Sequence, residues 1–263
     1  VSSDNGVSWS NIAGATSSLL SFTAVAGDNG KQYRVVATST CGTATSAAAI
    51  LTVQTAPNIT GQPLSTTVCA GTNVGFASTA TGNPTPTVQW FVSTDNGSTF
   101  NPVPGATTGT LSLGAAQASM SGNQYQAVWT NSAGTATTNT VTLTVNTAPT
   151  VTDPMSTTVV AGNQASFTTT TTGQPTPSLQ WQVSSDNGVS WSNIAGATSS
   201  LLSFTAVAGD NGKQYRVVAT STCGTATSAA AILTVQTAPN ITGNPLSTTV
   251  CAGTSVGFGS AAT

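Results

Sequence analysis

The side chains able to do chemistry are few and widely spaced. The 263-residue chain carries Asp4, Asp28, Asp95, Asp153, Asp186 and Asp210, the cations Lys31, Arg34, Lys213 and Arg216, and four cysteines. It has no histidine and no glutamate. General acid–base work needs a positioned histidine, a close carboxylate pair, or a lysine or cysteine of tuned pKa. No two aspartates are close in sequence, and they recur at equivalent places in a repeat. A zinc site would need clustered His and Cys, and a calcium site several carboxylates; neither supply exists. Four cations in a chain of net charge −2 give no phosphate footprint, which argues against nucleic acid as a partner. The expectation is a protein without catalytic, cofactor or metal sites.

The elements that carry these residues are read from the rest of the composition. Only 4% of residues are charged, against about 25% in an ordinary soluble domain. Thr, Ser, Ala, Gly, Val and Asn dominate, a mixture suited to strands and turns. The length allows two ordinary domains or up to three β-sandwiches of about 100 residues. No apolar run approaches the roughly 18 residues of a membrane span, so no membrane insertion is expected in this segment.

Repetition is the dominant signal. Residues 1–81 recur as 183–263, offset by 182 positions, with differences only at Gln62/Asn244, Asn73/Ser255, Ala77/Gly259 and Thr79/Ala261. A weaker period of half that length aligns Gln89-Trp90 with Gln180-Trp181, and Thr147-Ala148-Pro149 with Thr55-Ala56-Pro57 and Thr237-Ala238-Pro239. A fixed period identifies an array. Two related domain types, X and Y, therefore alternate: partial X (1–55), complete Y (56–147), complete X (148–237) and the start of a second Y (238–263). The Thr-Ala-Pro steps are read as short joints that leave neighbouring domains little freedom.

Within Y, short alternating runs are punctuated by turns, the pattern of an all-β sandwich. Val74, Phe76, Ser78 and Ala80 share one face, Gly82-Asn83-Pro84-Thr85-Pro86 breaks the chain, and Val88-Gln89-Trp90 begins the next strand. Asp95-Asn96-Gly97 supplies the positive φ of a tight hairpin. Val-x-Phe, Gly-x-Pro-x-Pro, Gln-Trp, Asp-Asn-Gly and a glycine-containing bend before Tyr, in that order, resemble the bacterial immunoglobulin-like (I-set-like) repeats of large cell-surface or filament proteins. The resemblance spans both complete domains and what is present of the partial ones. It implies that Trp90 and Trp181 are the core tryptophans of strand C, and that Tyr33, Tyr125 and Tyr215 are core tyrosine-corner residues opening strand F. It also implies that the positions holding the B–F disulfide in animal relatives are here Ser78 with Ala127, and Thr169 with Val217. Buried hydroxyls at Ser78 and Thr169 would need partners.

The cysteines are read on that fold. Cys41 and Cys223 fall between strands F and G of X, at the end where the chain enters the domain. Cys69 and Cys251 fall between strands A and B of Y, at the end where the chain leaves. A disulfide needs Cα atoms within about 7 Å, and on this fold only Cys69 and Cys223 face each other. The expectation is a structural Cys69–Cys223 disulfide across the Y-to-X joint, with Cys41 and Cys251 bonded off-chain in an oxidising setting. Four free thiols in exposed turns are the alternative.

Other residues read plainly: Trp9 and Trp191 as edge-packing aromatics rather than sugar platforms, and Lys31 and Lys213 as exposed bend lysines. Asn58-Ile59-Thr60, Asn96-Gly97-Ser98 and Asn240-Ile241-Thr242 fit the glycosylation triplet and admit a glycan coating. The functional expectation is a structural segment of an extracellular filament or cell-surface stalk, with other copies of itself as partners in a homopolymer or bundle. Low charge leaves little repulsion against side-by-side packing. An adhesin recognising protein or glycan through sandwich-end loops is the alternative. Residues 1–55 lack strands A to C and residues 238–263 lack all after strand B, so both are read as cut ends of a longer polymer. A recombinant 1–55 is expected to show no cooperative thermal transition as a monomer in calorimetry.

Overall fold

The computed structural model describes all 263 residues. It is all-β: short strands joined by turns, with three single-turn 3-10 helices at Ala26–Asp28, Ala118–Met120 and Ala208–Asp210. No helix is long and apolar enough to cross a membrane. The chain divides into two compact units, Val1–Val145 and Asn146–Thr263, each built around one complete sandwich.

In the first unit one sheet runs in the order Asn101–Pro102, Thr87–Ser93, Gln124–Asn131 and Val141–Val151, and Thr66–Cys69 pairs with the last of these. The facing layer pairs Asn73–Ala77 with Thr110–Ala115, and Thr55–Gly61 with Thr79–Asn83. Side-chain alternation decides which face goes inward. Along Gln124–Asn131, Tyr125, Ala127 and Trp129 are buried while their neighbours are less so. Trp90 lies opposite Ala127 across the strands, so the largest core side chain has the smallest partner.

The second unit repeats the plan. Its larger sheet is ordered Thr157–Val160, Ala231–Gln236, Gln214–Ser221, Ser178–Ser184 and Ser192–Asn193. Thr157–Val160 runs parallel to Ala231–Gln236, with Val159 beside Val235; the other pairings of that sheet are antiparallel. The facing pair is Gln164–Thr168 with Leu201–Thr205. Phe167 stacks on Tyr215 with ring centroids 4.8 Å apart, and Trp181 is fully buried beside them.

The Thr-Ala-Pro steps lie in extended chain, and Thr147-Ala148-Pro149 closely follows the division of the chain after Val145. Thr55-Ala56-Pro57 opens the strand Thr55–Gly61, and Thr147-Ala148-Pro149 lies inside the 11-residue strand Val141–Val151. The strand tolerates proline because its register shifts between Thr147 and Thr150, where no ladder N–H is required.

The partial copies show what the sandwich contributes. Leu202 is 7% exposed but its copy Leu20 is 41%; Val217 is 0% and Val35 is 59%; Phe76 is 4% and Phe258 is 65%. Tyr33, expected in a core, is only half-buried, whereas Tyr215 is buried. The strand bearing Phe167, which covers Tyr215, has no counterpart in 1–55.

The B–F positions hold their hydroxyls in bonds. Ser78 and Thr169 are buried, as are Ala127 and Val217. Trp129 Nε1 donates to Ser78 Oγ at 3.0 Å in Y. X has Ala219 in place of that tryptophan, and Thr169 Oγ1 instead donates to the Thr152 carbonyl at 2.7 Å. Replacing Ser78 with Ala strands the indole N–H inside the core. Urea denaturation of the chain followed by tryptophan fluorescence should show a loss of about 1–3 kcal/mol.

Candidate functional site

The ionisable side chains are tied up by their neighbours. At the hairpin tip of Y, Asn96 and Gly97 take positive φ values of 59° and 88°. Asp95 accepts from Ser93 Oγ at 2.6 Å, Thr99 Oγ1 at 2.6 Å and Thr99 N at 2.9 Å. These bonds, led by those from the Ser93 and Thr99 hydroxyls, hold its pKa down at about 2. Asp186 is likewise lowered to about 2, by Ser190 and Ser184, and Asp4 to about 2 by Ser8 and Ser2. A carboxylate that folds the turn around itself is a poor general base and a poor metal ligand. No cluster of three metal-ligating side chains exists.

The lysines are not free bend residues. The 3-10 turn Ala208–Asp210 places Lys213 three residues beyond Asp210, and Lys213 Nζ reaches Asp210 Oδ1 at 2.8 Å. Lys31 and Asp28 form the same 2.8 Å pair. The lysine, then the Val207 N–H, depresses the Asp210 carboxyl. Burial, then the Asp210 charge, pushes the Tyr215 hydroxyl up to about 12. A cavity of about 500 Å³ opens beside this pair, walled by Ile194, Leu201, Phe204 and Tyr215. Its charged groups, Asp210 and Lys213, already satisfy each other.

The tryptophans after the hairpins also pack. Trp191 Nε1 donates to the Gly188 carbonyl at 3.1 Å, and the Arg216 guanidinium lies 4.1 Å from the ring centre. Arg216 Nε is held by Gln182 Oε1 at 2.8 Å. Trp9 and Arg34 repeat the stack at 3.9 Å. With a guanidinium on its face, this ring fastens the hairpin to the sheet.

The cysteines sit in two kinds of turn. Cys223 lies in the turn between Gln214–Ser221 and Gly224–Thr227, its N–H donating to Ser221 Oγ at 3.1 Å. Cys41 does the same with Ser39 Oγ at 3.2 Å. Cys69 ends the strand Thr66–Cys69, with the Thr72 N–H on its carbonyl at 3.1 Å. Cys251 has Thr254 on its carbonyl at 3.2 Å. Cys69 and Cys223 are disulfide-bonded, and Cys41 and Cys251 are free and exposed.

Fold and local chemistry thus define a tandem array of immunoglobulin-like β-sandwiches. The chain belongs to the family described as "Domain of unknown function (DUF8696)", whose model matches residues 1–55, 60–147 and 150–237. It is 41% identical over 186 residues to Endoglucanase C of Cellulomonas fimi, a match covering 70% of this chain and 16% of that enzyme. Among solved structures it is similar to a titin I67–I69 variant, with 18% identity, a TM-score of 0.55, and 78% of this chain and 74% of that one covered. The N-terminal four Ig domains of Dscam1 isoform 6.9 give 22% identity, a TM-score of 0.52, and coverages of 81% and 56%. At these identities the solved structures bear on the fold alone.

The hairpin aspartates predict an acid limb. Their folded pKa values of about 2 lie below the ordinary 3.8, so their stabilisation is complete above pH 4 and is lost as pH falls towards 2. Asp95→Asn with Asp186→Asn should lower the urea midpoint at pH 7 and flatten its fall between pH 4 and pH 2.

Proposed function

We propose that this chain is a structural segment of an extracellular array, a cell-surface stalk or filament of the bacterial immunoglobulin-like kind. Its domains serve as spacers that associate with other copies and carry no catalysis. The observation that carries this reading is near-identical repetition of a domain whose ionisable groups are mostly spent within their own hairpins and turns. A surface with ten charged side chains in 263 residues has little charge to hold copies apart. Leu64, Met155 and Leu246 occupy the same position in successive repeats and are 79%, 84% and 84% exposed, which supplies recurrent apolar contacts for association.

The cysteines fit the same reading. Cys69 bonded to Cys223 joins a Y domain to the X domain that follows it and restrains that joint, while Cys41 and Cys251 take partners outside this segment. An oxidised pair suits an extracellular location. The likeness to a 16% portion of Endoglucanase C favours a second form of the reading, in which such repeats are spacers appended to a larger enzyme.

Sedimentation velocity over a concentration series tests self-association, and non-reducing peptide mapping tests the cross-link. Expected are a sedimentation coefficient that rises with concentration and a Cys69–Cys223 linked peptide. A monomer throughout the series, or a Cys41–Cys69 peptide, would overturn the corresponding part.

A further inference from the structure

Asparagine followed by glycine is a step at which a polypeptide attacks itself, because glycine has no side chain to shield its nitrogen from the neighbouring side-chain amide. The chain has five such steps: Asn5-Gly6, Asn29-Gly30, Asn96-Gly97, Asn187-Gly188 and Asn211-Gly212. All five asparagines are exposed. In every one of them the glycine N–H is nonetheless committed. Gly97 and Gly188 donate to Ser93 Oγ and Ser184 Oγ, each at 2.8 Å, and Gly6 donates to Ser2 Oγ at 2.9 Å. Gly212 and Gly30 donate to the Leu233 and Leu51 carbonyls, each at 2.8 Å. The three serines are buried, although the hairpins they anchor are exposed.

We propose that Asn96 and Asn187 are latent deamidation sites, and that the buried hydroxyls of Ser93 and Ser184 keep them closed by holding the attacking nitrogen. Ser93 is oriented for that task. Its hydroxyl donates to Asp95 Oδ1 at 2.6 Å, which leaves its lone pairs for the Gly97 N–H. Ser184 stands between Asp186 and Gly188 in the same way, at 2.7 and 2.8 Å. Freeing the glycine nitrogen would leave a buried hydroxyl short of a donor, which is costly. At Asn211-Gly212 the second reactant is held as well, since Asn211 Oδ1 accepts from the Val235 N–H at 2.9 Å.

In the unprotected reaction the Gly97 nitrogen gives its proton to a solvent base and attacks Asn96 Cγ. The new C–N bond closes a succinimide ring, and the Cγ–Nδ2 bond breaks as Nδ2 takes a proton and leaves as ammonia. Water then adds to either ring carbonyl and opens the ring to aspartate or isoaspartate. One water is consumed, one ammonia is released, and nothing is oxidised or reduced. Each event adds a negative charge to a chain of net charge −2, beside an aspartate already present. Isoaspartate also lengthens the backbone of the turn. The bond to serine opposes the first step, because the glycine proton points at a buried oxygen rather than at water.

Peptide mapping by mass spectrometry, after prolonged incubation in mildly alkaline buffer, tests this on the full chain in its native state and in guanidinium chloride. Expected are conversion at all five steps in guanidinium chloride and little at any of them in the native chain. Ser93→Ala should speed conversion at Asn96 by about tenfold, the rate factor that one net hydrogen bond supplies. Asn187 and Asn211 of the same chain should keep their native rates. Thr99→Val removes another hydroxyl from the same hairpin but leaves the serine in place, and should leave Asn96 slow. Hydrogen exchange followed by NMR needs no substitution: the Gly97 and Gly188 amides should exchange slowly. Circular dichroism checks that Ser93→Ala folds; if it does not, the exchange rates decide. Equal conversion in native and denatured chain, an unchanged Asn96 rate in Ser93→Ala, equal acceleration by Thr99→Val, or rapid exchange of the glycine amides would overturn the proposal. These readouts are taken at single residues and do not depend on whether copies associate.

Discussion

A sandwich is stable only when each sheet covers the other, and here that closure centres on the strand-C tryptophan of each domain. Trp90 and Trp181 are fully buried, with Phe76 and Phe167 brought to them from the facing sheets. Without the facing sheet the same residues lie open: Val35 and Phe258 repeat Val217 and Phe76 residue for residue, yet are largely exposed. Local sequence chooses the strand and its alternation, and only the second layer turns that alternation into buried area. The hairpins, the caps and the cysteine turns are all held at the ends of strands that this closure fixes.

The economy of charge follows the same logic at the surface. Asp95 and Asp186 spend their oxygens on closing hairpins, and Asp28 and Asp210 are paired to lysines three residues away. Arg216 lies on a tryptophan and bonds an amide. The charges that remain therefore organise turns. In most soluble domains, exposed charge of both signs also keeps molecules separate; this chain has little left for that purpose.

Much of this was legible in the residues, and the remainder has identifiable physical causes. Asp-Asn-Gly, the alternation around Phe76 and the Gln-Trp steps report local geometry, and the hairpins and strands lie where those signals place them. The Lys213–Asp210 pair was missed because it depends on a single 3-10 turn, whose spacing differs from both strand and loop expectations. The stacking of Arg216 on Trp191 joins residues 25 positions apart and depends on strand register. Thr147-Ala148-Pro149 reads as a joint, and the division of the chain falls just before it; that a strand runs through the step was not legible, because the register shift that removes the need for proline's missing donor depends on the pairing strand. Burial of Tyr33 failed as an expectation because it depends on strands that 1–55 does not contain.

The alternation of two core designs has a consequence for how the polymer folds. Identical neighbours invite one domain's strand to insert into the next during folding, a recognised failure of repeat proteins. Here the nearest identical copies are separated by a domain of the other type. Y packs Trp129 against the small hydroxyl of Ser78, whereas X has a buried Ala219 at the tryptophan's position and a buried Thr169 at the serine's. An X strand bearing Thr169 would bring a branched side chain against the Y indole, and a Y strand bearing Trp129 would bring an indole where X holds an alanine. The two core designs are therefore not interchangeable strand for strand, so an unlike repeat separates like ones at the level of packing as well as of order.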